Sequence, residues 1–159
     1  MPKTFFTGIP ERMTNIDDVL ATYRFCTPIQ VRFKDVDKQG HVNNANHLTY
    51  FEISRTDYFR DIFRKTKDWD KTGMILAHTE ITYKHPITLE DRLECFTRVS
   101  RFGNKSFDME NVLAAKTETG YEMRAYGKSV LVCMDYTAKQ SIPVPAEWVD
   151  ASRRFENGI

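Results

Sequence analysis

Apolar and polar residues alternate along most of the second half of the chain. The alternation covers residues 77–83, 93–99, 107–113 and 123–136. A period of two places alternate side chains on opposite faces of a strand, so each segment is predicted to be a β-strand. The turns between them are short and carry Glu90-Asp91, Gly103-Asn104 and Gly120. Short turns favour antiparallel neighbours, and this half therefore predicts an antiparallel sheet.

The pattern changes to a helical period between residues 44 and 63, where no Gly or Pro interrupts the run. The apolar residues at helical spacings there are Leu48, Phe51, Phe59, Ile62 and Phe63. Asn43 and Asn44 provide a natural N-cap. A further strand is predicted at 29–33, and shorter helices at 16–20 and 146–155. The order predicts an α+β fold in which an antiparallel sheet of about five strands wraps around one long central helix.

The length of 159 residues suits one domain with a real core. We expect this domain to cover residues 28–140, with an N-terminal extension at 1–27 that packs on it and a C-terminal helical tail at 141–159. Lys and Arg number 23 against 22 Asp and Glu, so the net charge is +1. This balance supplies no general attraction to nucleic acid or to a membrane surface, and neither partner is expected.

The three cysteines, Cys26, Cys95 and Cys133, form no Cys-x-x-Cys motif and no even set for a disulfide framework. The first residues contain no apolar core long enough for a signal peptide, and no apolar run approaches the ~20 residues of a membrane helix. These features predict a protein of the reducing cytoplasm.

The densest group of reactive side chains lies between the first predicted strand and the long helix. It includes Asp35, Asp37, His41 and three amide side chains within residues 33–44. An Asx-rich turn that only caps the helix is a common use of such a segment. Two interpretations involve metals, namely an incomplete calcium loop and a transition-metal site with His47 as a further ligand. A glycosidase carboxylate pair is the fourth, and residue patterns alone leave these alternatives open.

A resemblance favours a different chemistry for this segment. Residues 31–52, VRFKDVDKQGHVNNANHLTYFE, are similar to the signature of the 4-hydroxybenzoyl-CoA thioesterase family: Asp-x-Asp, then Gly-His-Val-Asn-Asn, then a helix with Tyr-Phe-Glu. Residues 80–86 and 105–107 resemble later strands of the same family. The resemblance implies the hot-dog fold and hydrolysis of an acyl-CoA or acyl-carrier-protein thioester without a cofactor or metal. It also implies a homodimer or homotetramer with active sites between subunits.

The same resemblance implies roles for individual residues. Asp37 matches the catalytic acid, a buried carboxylate that acts as general base or nucleophile. Asn44 matches the helix-start position whose backbone N–H polarises the thioester carbonyl. His41 belongs to the catalytic group, and Gln39 stands where plant acyl-carrier-protein thioesterases have Asn.

Further residues are predicted to bind the substrate or its CoA portion. They are Gln39, His47, His78, Arg101, Lys105 and Ser106. Arg101 and Lys105 flank a predicted turn, and their charges suit CoA phosphates, although a solvated charged turn has the same composition. Two other functions fit the same fold, a non-catalytic acyl-thioester binder and an enoyl-CoA hydratase.

Overall fold

The computed structural model describes residues 15–63 and 70–156. The predicted extension at 1–27 and tail at 141–159 each lie partly outside these residues. The helices are α1 (Ile16–Leu20), α2 (Asn44–Ile62) and α3 (Ala146–Glu156). The strands are β1 (Phe25–Ile29), β2 (Thr72–Tyr83), β3 (Leu93–Phe102), β4 (Ser106–Thr117), β5 (Gly120–Asp135) and β6 (Gln140–Ser141).

The strands form one antiparallel sheet in the order β1-β3-β4-β5-β2, and β6 pairs with β5. The sheet curls around α2, so the predicted α+β architecture, the hot-dog fold and the central helix are confirmed. Strands β1 and β2 are the two edges of the main sheet. No helix in the described parts of the chain is long and apolar enough to cross a membrane.

The first strand differs from its prediction. The sequence predicts a strand at 29–33, but β1 ends at Ile29 and residues Phe33–Asp35 form a 3₁₀ turn. The cause is Asp35, whose carboxylate accepts hydrogen bonds from the backbone N–H and the guanidinium of Arg32 and so folds the chain back. Phe33, predicted to lie on the apolar face, is consequently 85% exposed.

Helix α2 lies close against the centre of the sheet. Its buried side chains include Tyr50, Phe51, Ser54 and Tyr58. The approach depends on Gly127 of β5, where an added Cβ would stand 2.5 Å from Phe51 Cε2 and 2.5 Å from the backbone oxygen of Glu80. Glycine therefore permits the contact between helix and sheet that brings the start of α2 to its place.

The remaining helices cover other surfaces. Trp148 of α3 stacks on Phe63 at the end of α2, with ring centroids 5.1 Å apart and planes 3° from parallel. Helix α1 packs Val19 and Leu20 in a cluster with Val112 of β4. Residues 43–45 at the start of α2 and residues 75–78 of the edge strand β2 are exposed.

Candidate active site

The loop before α2 is a tight turn fixed by its own backbone. Val36 and Val42 form an isolated antiparallel bridge, and the Asp37 N–H donates to the His41 oxygen at 2.8 Å. Gly40 closes the turn at φ +81°, a left-handed conformation that favours glycine. The Val42 N–H donates to the Ile87 oxygen at 2.8 Å, which ties the turn to the segment after β2.

Asp35 is the anchor of this loop. It is 2% exposed, and its carboxylate accepts the Tyr50 hydroxyl at 2.9 Å in addition to the three donors of Arg32. Its backbone oxygen accepts the Asn43 N–H at 2.9 Å and the Asn46 amide at 3.0 Å. Burial raises the pKa of the Asp35 carboxyl, but the hydrogen bonds from Arg32 and Tyr50 outweigh it and hold that pKa below its ordinary value.

This arrangement bears on the metal interpretations of the sequence. The Asp35 carboxylate is already occupied by Arg32 and Tyr50, so it is not available as a ligand. Within residues 15–63 and 70–156, no three His, Cys, Asp or Glu side chains are grouped to hold a metal ion. The calcium and transition-metal alternatives, both of which need Asp35, do not fit this geometry.

Asp37 points away from the core. Its Oδ1 accepts the Gln39 N–H at 2.8 Å and the His41 N–H at 3.4 Å, while its Oδ2 accepts no hydrogen bond from the described residues. Asp37 is exposed in the single chain, so the expectation of a buried carboxylate is wrong for one isolated copy of the chain. The physical reason is the turn itself, which places the carboxylate on its outer side. One oxygen is held in position, and the other is free to contact a water or a substrate.

The first turn of α2 presents a free donor beside this loop. The Asn43 side chain caps the helix by accepting the Ala45 N–H at 3.0 Å. The Asn43 oxygen accepts the Asn46 N–H at 2.9 Å. The Asn44 N–H, in contrast, donates to no group in the described residues. A free N–H at a helix N-terminus, supported by the helix dipole, is suited to a developing negative charge.

His47 lies one turn further along α2 and is only 4% exposed. Its ring meets the edge of the Tyr83 ring at a centroid distance of 4.9 Å, and its Nδ1 lies 3.4 Å from the Asn43 oxygen. Burial lowers the pKa of His47, so the ring is neutral at physiological pH. The Tyr83 hydroxyl donates to the Asn44 oxygen at 3.4 Å. These contacts attach the start of α2 to the end of β2.

The other predicted residues divide into two groups. Gln39 and His41 are exposed on the turn with Asp37, and their side chains make no hydrogen bond in the described structure. Arg101, Lys105 and Ser106 lie at the far end of β3, whereas Ile29 and the loop after it lie beside Leu93. Ten residues of strand, roughly 30 Å, separate the two ends. A single chain therefore does not bring them together.

His78 belongs to neither group, because it lies on β2 opposite Val130, on the face turned away from α2. Arg101 pairs with the Asp108 carboxylate at 3.0 Å, and Lys105 donates to the Ser141 oxygen at 3.1 Å.

Sequence reasoning missed the set formed by Arg32, Asp35 and Tyr50. The one available signal was Asp35 itself, because an acid two residues before the predicted catalytic acid needs a partner once it is buried. Arg55, the buried arginine in the middle of α2, was also missed, since arginine in a helix normally marks the solvent face.

Comparisons with known proteins agree with this architecture. The long-chain acyl-CoA thioesterase FadM of Escherichia coli (strain K12) is 24% identical over 124 residues, which cover 76% of this chain and 91% of that protein. The protein YsmA of Bacillus subtilis (strain 168) is 25% identical over 88 residues, 55% of this chain, and the match spans 59% of its length.

A thioesterase from Thermus thermophilus, whose structure is complexed with coenzyme A and Zn, is 31% identical and superposes with a TM-score of 0.75. The match covers 87% of this chain and 98% of that one. The family model described as the thioesterase-like superfamily matches residues 31–152. With this match across most of the chain, the predicted family is confirmed, and the protein belongs to the thioesterase-like superfamily of hot-dog-fold hydrolases.

Proposed function

We propose that the protein hydrolyses an acyl-CoA thioester, with Asp37 as the catalytic carboxylate and the Asn44 N–H as the oxyanion donor. The observation that carries the proposal is the free Asn44 N–H at the start of α2, next to a turn that holds Asp37 with one oxygen unoccupied. The relatives support the substrate class, because one is named an acyl-CoA thioesterase and another is complexed with coenzyme A.

The chemistry needs only these two groups and water. In the general-base form, Asp37 Oδ2 removes a proton from a water molecule while the water oxygen attacks the thioester carbon. The carbonyl oxygen becomes an oxyanion that accepts the Asn44 N–H, and one such donor contributes about 2.7–4 kcal/mol in a protease. The carbon–sulfur bond then breaks, and Asp37 returns the proton to the departing thiolate. In the nucleophilic form, Asp37 itself attacks the thioester carbon and the carbon–sulfur bond breaks, so that the CoA thiolate leaves and takes a proton from water. A water molecule then hydrolyses the resulting anhydride and restores the Asp37 carboxylate.

We further propose that the site is completed by a second copy of the chain. Edge strand β2 carries Ile75 and Leu76, which are 46% and 50% exposed, and such an edge favours pairing with another strand. The Tyr83 end of β2 contacts Asn44, whereas Ile75 lies beside Val132, which pairs with Ser106.

Antiparallel pairing of two β2 edges about a two-fold axis brings the Ile75 end of one copy to the Tyr83 end of the other. Arg101, Lys105 and Ser106 of one copy then face the Asp37 loop of its partner, where CoA phosphates need cations. The same pairing removes the exposed Asp37 from bulk water.

All three cysteines are free, in agreement with a cytoplasmic location.

The test is thiol release from a panel of aliphatic and aromatic acyl-CoAs by the wild type, Asp37→Asn and the matched control Asp18→Asn, which changes an exposed acid in α1. We expect turnover by the wild type and the control, and none by Asp37→Asn, with unchanged folding. Asn44→Pro, which removes the N–H, should lose more activity than Asn44→Ala. Full activity of Asp37→Asn, or the opposite order of the Asn44 variants, contradicts the assignment.

Absence of thiol release by the wild type across the panel would direct attention to an acyl-carrier-protein substrate. Binding of acyl-CoA without turnover of either thioester would instead identify a non-catalytic binding protein.

A further inference from the structure

Arg55 is a buried cation that forms no ion pair with any of the residues that the structure describes. Its residue is 7% exposed, in the middle of α2, and its Nη1 donates to the Ser129 hydroxyl at 3.2 Å. No carboxylate oxygen of the described residues lies within about 4 Å of it, the reach of an ion pair. Burial lowers the pKa of the guanidinium and the more distant charge of Glu52 raises it, but the group remains a cation. A buried charge with one neutral partner destabilises the fold, so a counter-ligand is expected.

The guanidinium faces the space between α2 and the edge strand β2. Ser129 is fully buried on β5, and its hydroxyl lies 3.1 Å from that of Thr79 on β2. Leu76 and Tyr83 stand on either side of Thr79 along the strand and are 50% and 46% exposed.

Both of these residues face the helix. Leu76 lies opposite the core residue Leu131, and Tyr83 touches His47 of α2. Arg55, Ser129 and Thr79 therefore form one polar position, here called the Arg55 site, beside exposed apolar side chains of the edge strand.

We propose that the Arg55 site binds a carboxylate at the far end of the acyl chain, so that the preferred substrate is the CoA monothioester of a dicarboxylic acid. The inference rests on the proposed function, which places the thioester carbon at Asn44. Arg55 follows Asn44 by eleven residues, about 16 Å along a helix, which corresponds to a chain on the order of ten methylenes. The guanidinium has donors in the fork geometry that a carboxylate accepts.

The experiment compares kcat/KM for the CoA thioesters of dodecanoic and dodecanedioic acid. The proteins are the wild type, Arg55→Met and the control Arg60→Met, which replaces an arginine of the same helix whose side chain is 64% exposed. We expect the wild type and the control to prefer the dicarboxylic thioester by roughly 10-fold or more, the size of one hydrogen bond to a charged group. Arg55→Met should remove this preference and leave turnover of dodecanoyl-CoA within about 3-fold of the wild type.

Calorimetric binding of free dodecanedioate and dodecanoate tests the Arg55 site without requiring hydrolysis. The dianion should bind more tightly to the wild type, and Arg55→Met should abolish the difference while folding at least as stably, because a buried charge is removed. If no CoA thioester is turned over, the proposed function fails. The calorimetry then still tests whether the Arg55 site binds a carboxylate. Ser129→Ala, which deletes only a hydroxyl, replaces Arg55→Met if that variant does not fold.

Three results overturn the inference. One is equal binding of the two acids by the wild type. Another is an equal loss of turnover on both thioesters in Arg55→Met, which indicates a structural role. The third is dissociation of the assembly in Arg55→Met, measured by sedimentation, which shows that a carboxylate of the partner subunit neutralises the guanidinium.

Discussion

Replacing Tyr50 by Phe tests whether the buried Asp35 carboxylate holds the proposed catalytic loop, residues 35–44, in place. Tyr50 is fully buried, and its hydroxyl donates to Asp35 Oδ2 at 2.9 Å. Phenylalanine keeps the ring and removes this one donor. The backbone oxygen of Asp35 accepts hydrogen bonds from the Asn43 N–H and the Asn46 side-chain amide. A displacement of Asp35 therefore also displaces the first turn of α2.

The expected loss is that of one hydrogen bond to a charged group, about 1.5–3 kcal/mol. The lower part of this range applies, because Asp35 Oδ2 still accepts two donors from Arg32 and is not left unpaired. A loss of about 2 kcal/mol lowers the Tm of a domain of this size by roughly 4–8 °C. Because Tyr50 is fully buried behind Asp35, it has no direct contact with substrate in the proposed site, and kcat should fall while KM changes little.

The dependence on pH separates this mechanism from a simple packing defect. The pKa of Asp35 is lowered in the folded state, so its stabilisation is complete above the unfolded value of about 3.9 and is lost as the pH falls through the folded pKa. The penalty of Tyr50→Phe should therefore be full at neutral pH and shrink in acid. Urea unfolding of both proteins from neutral pH to about pH 3 measures it.

The control Tyr136→Phe removes an exposed bond to the Met74 oxygen and should cost about 1 kcal/mol or less at every pH. A Tyr50→Phe penalty below about 0.5 kcal/mol, or one that stays constant into acid, refutes the reasoning.

Two further changes test the packing of α2. Gly127→Ala should destabilise the protein by about 1–3 kcal/mol, because the added Cβ would lie 2.5 Å from Phe51 and from the Glu80 backbone oxygen. A second change, Phe51→Leu, should partly restore the stability of this variant, and an unchanged Tm of Gly127→Ala contradicts the prediction. Burial raises the pKa of Glu156, so its charge destabilises the folded protein at pH 7. Glu156→Gln removes the charge and keeps an oxygen that accepts the Tyr58 hydroxyl and the Val99 N–H, so it should stabilise the protein at pH 7. The gain should disappear below about pH 4, where Glu156 is protonated, and an equal gain at both pH values excludes a charge effect.

The elements that could be predicted are those in which the hydrophobic pattern repeats several times along the chain. Helix α2 starts at the predicted Asn44 and ends within one residue of the predicted end. The four later strands were each found, although each of them extends beyond the alternating residues at one end or both. In β5 buried and half-buried positions alternate from Ala125 to Cys133, so the pattern records burial there. In β4 residues 107–115 are buried on both faces, because α1 covers the face turned away from α2.

The prediction failed where one side-chain contact overruled the pattern. Residues 29–33 alternate as a strand should, but the bond from Arg32 to Asp35 turns the chain after Ile29. In α2, Leu48 is 39% exposed although its type predicts burial, whereas Arg55 is buried although its type predicts exposure. A sequence pattern records the average preference of a residue type and carries no information on an individual partner across the fold.

The candidate site shows the same limit at the level of assembly. The loop from Asp35 to Asn44 is local in sequence, so a motif is sufficient to locate it. Arg101 and Lys105 are roughly 30 Å away in the same chain, and the β2 pairing proposed above would bring the cations of a partner chain to the loop. A carboxylate acts on a thioester most effectively when water is excluded, yet Asp37 is exposed in one chain. The proposed dimer, in which each chain holds half of two sites, accounts for the exposed Asp37, the apolar β2 edge and the distant cations together.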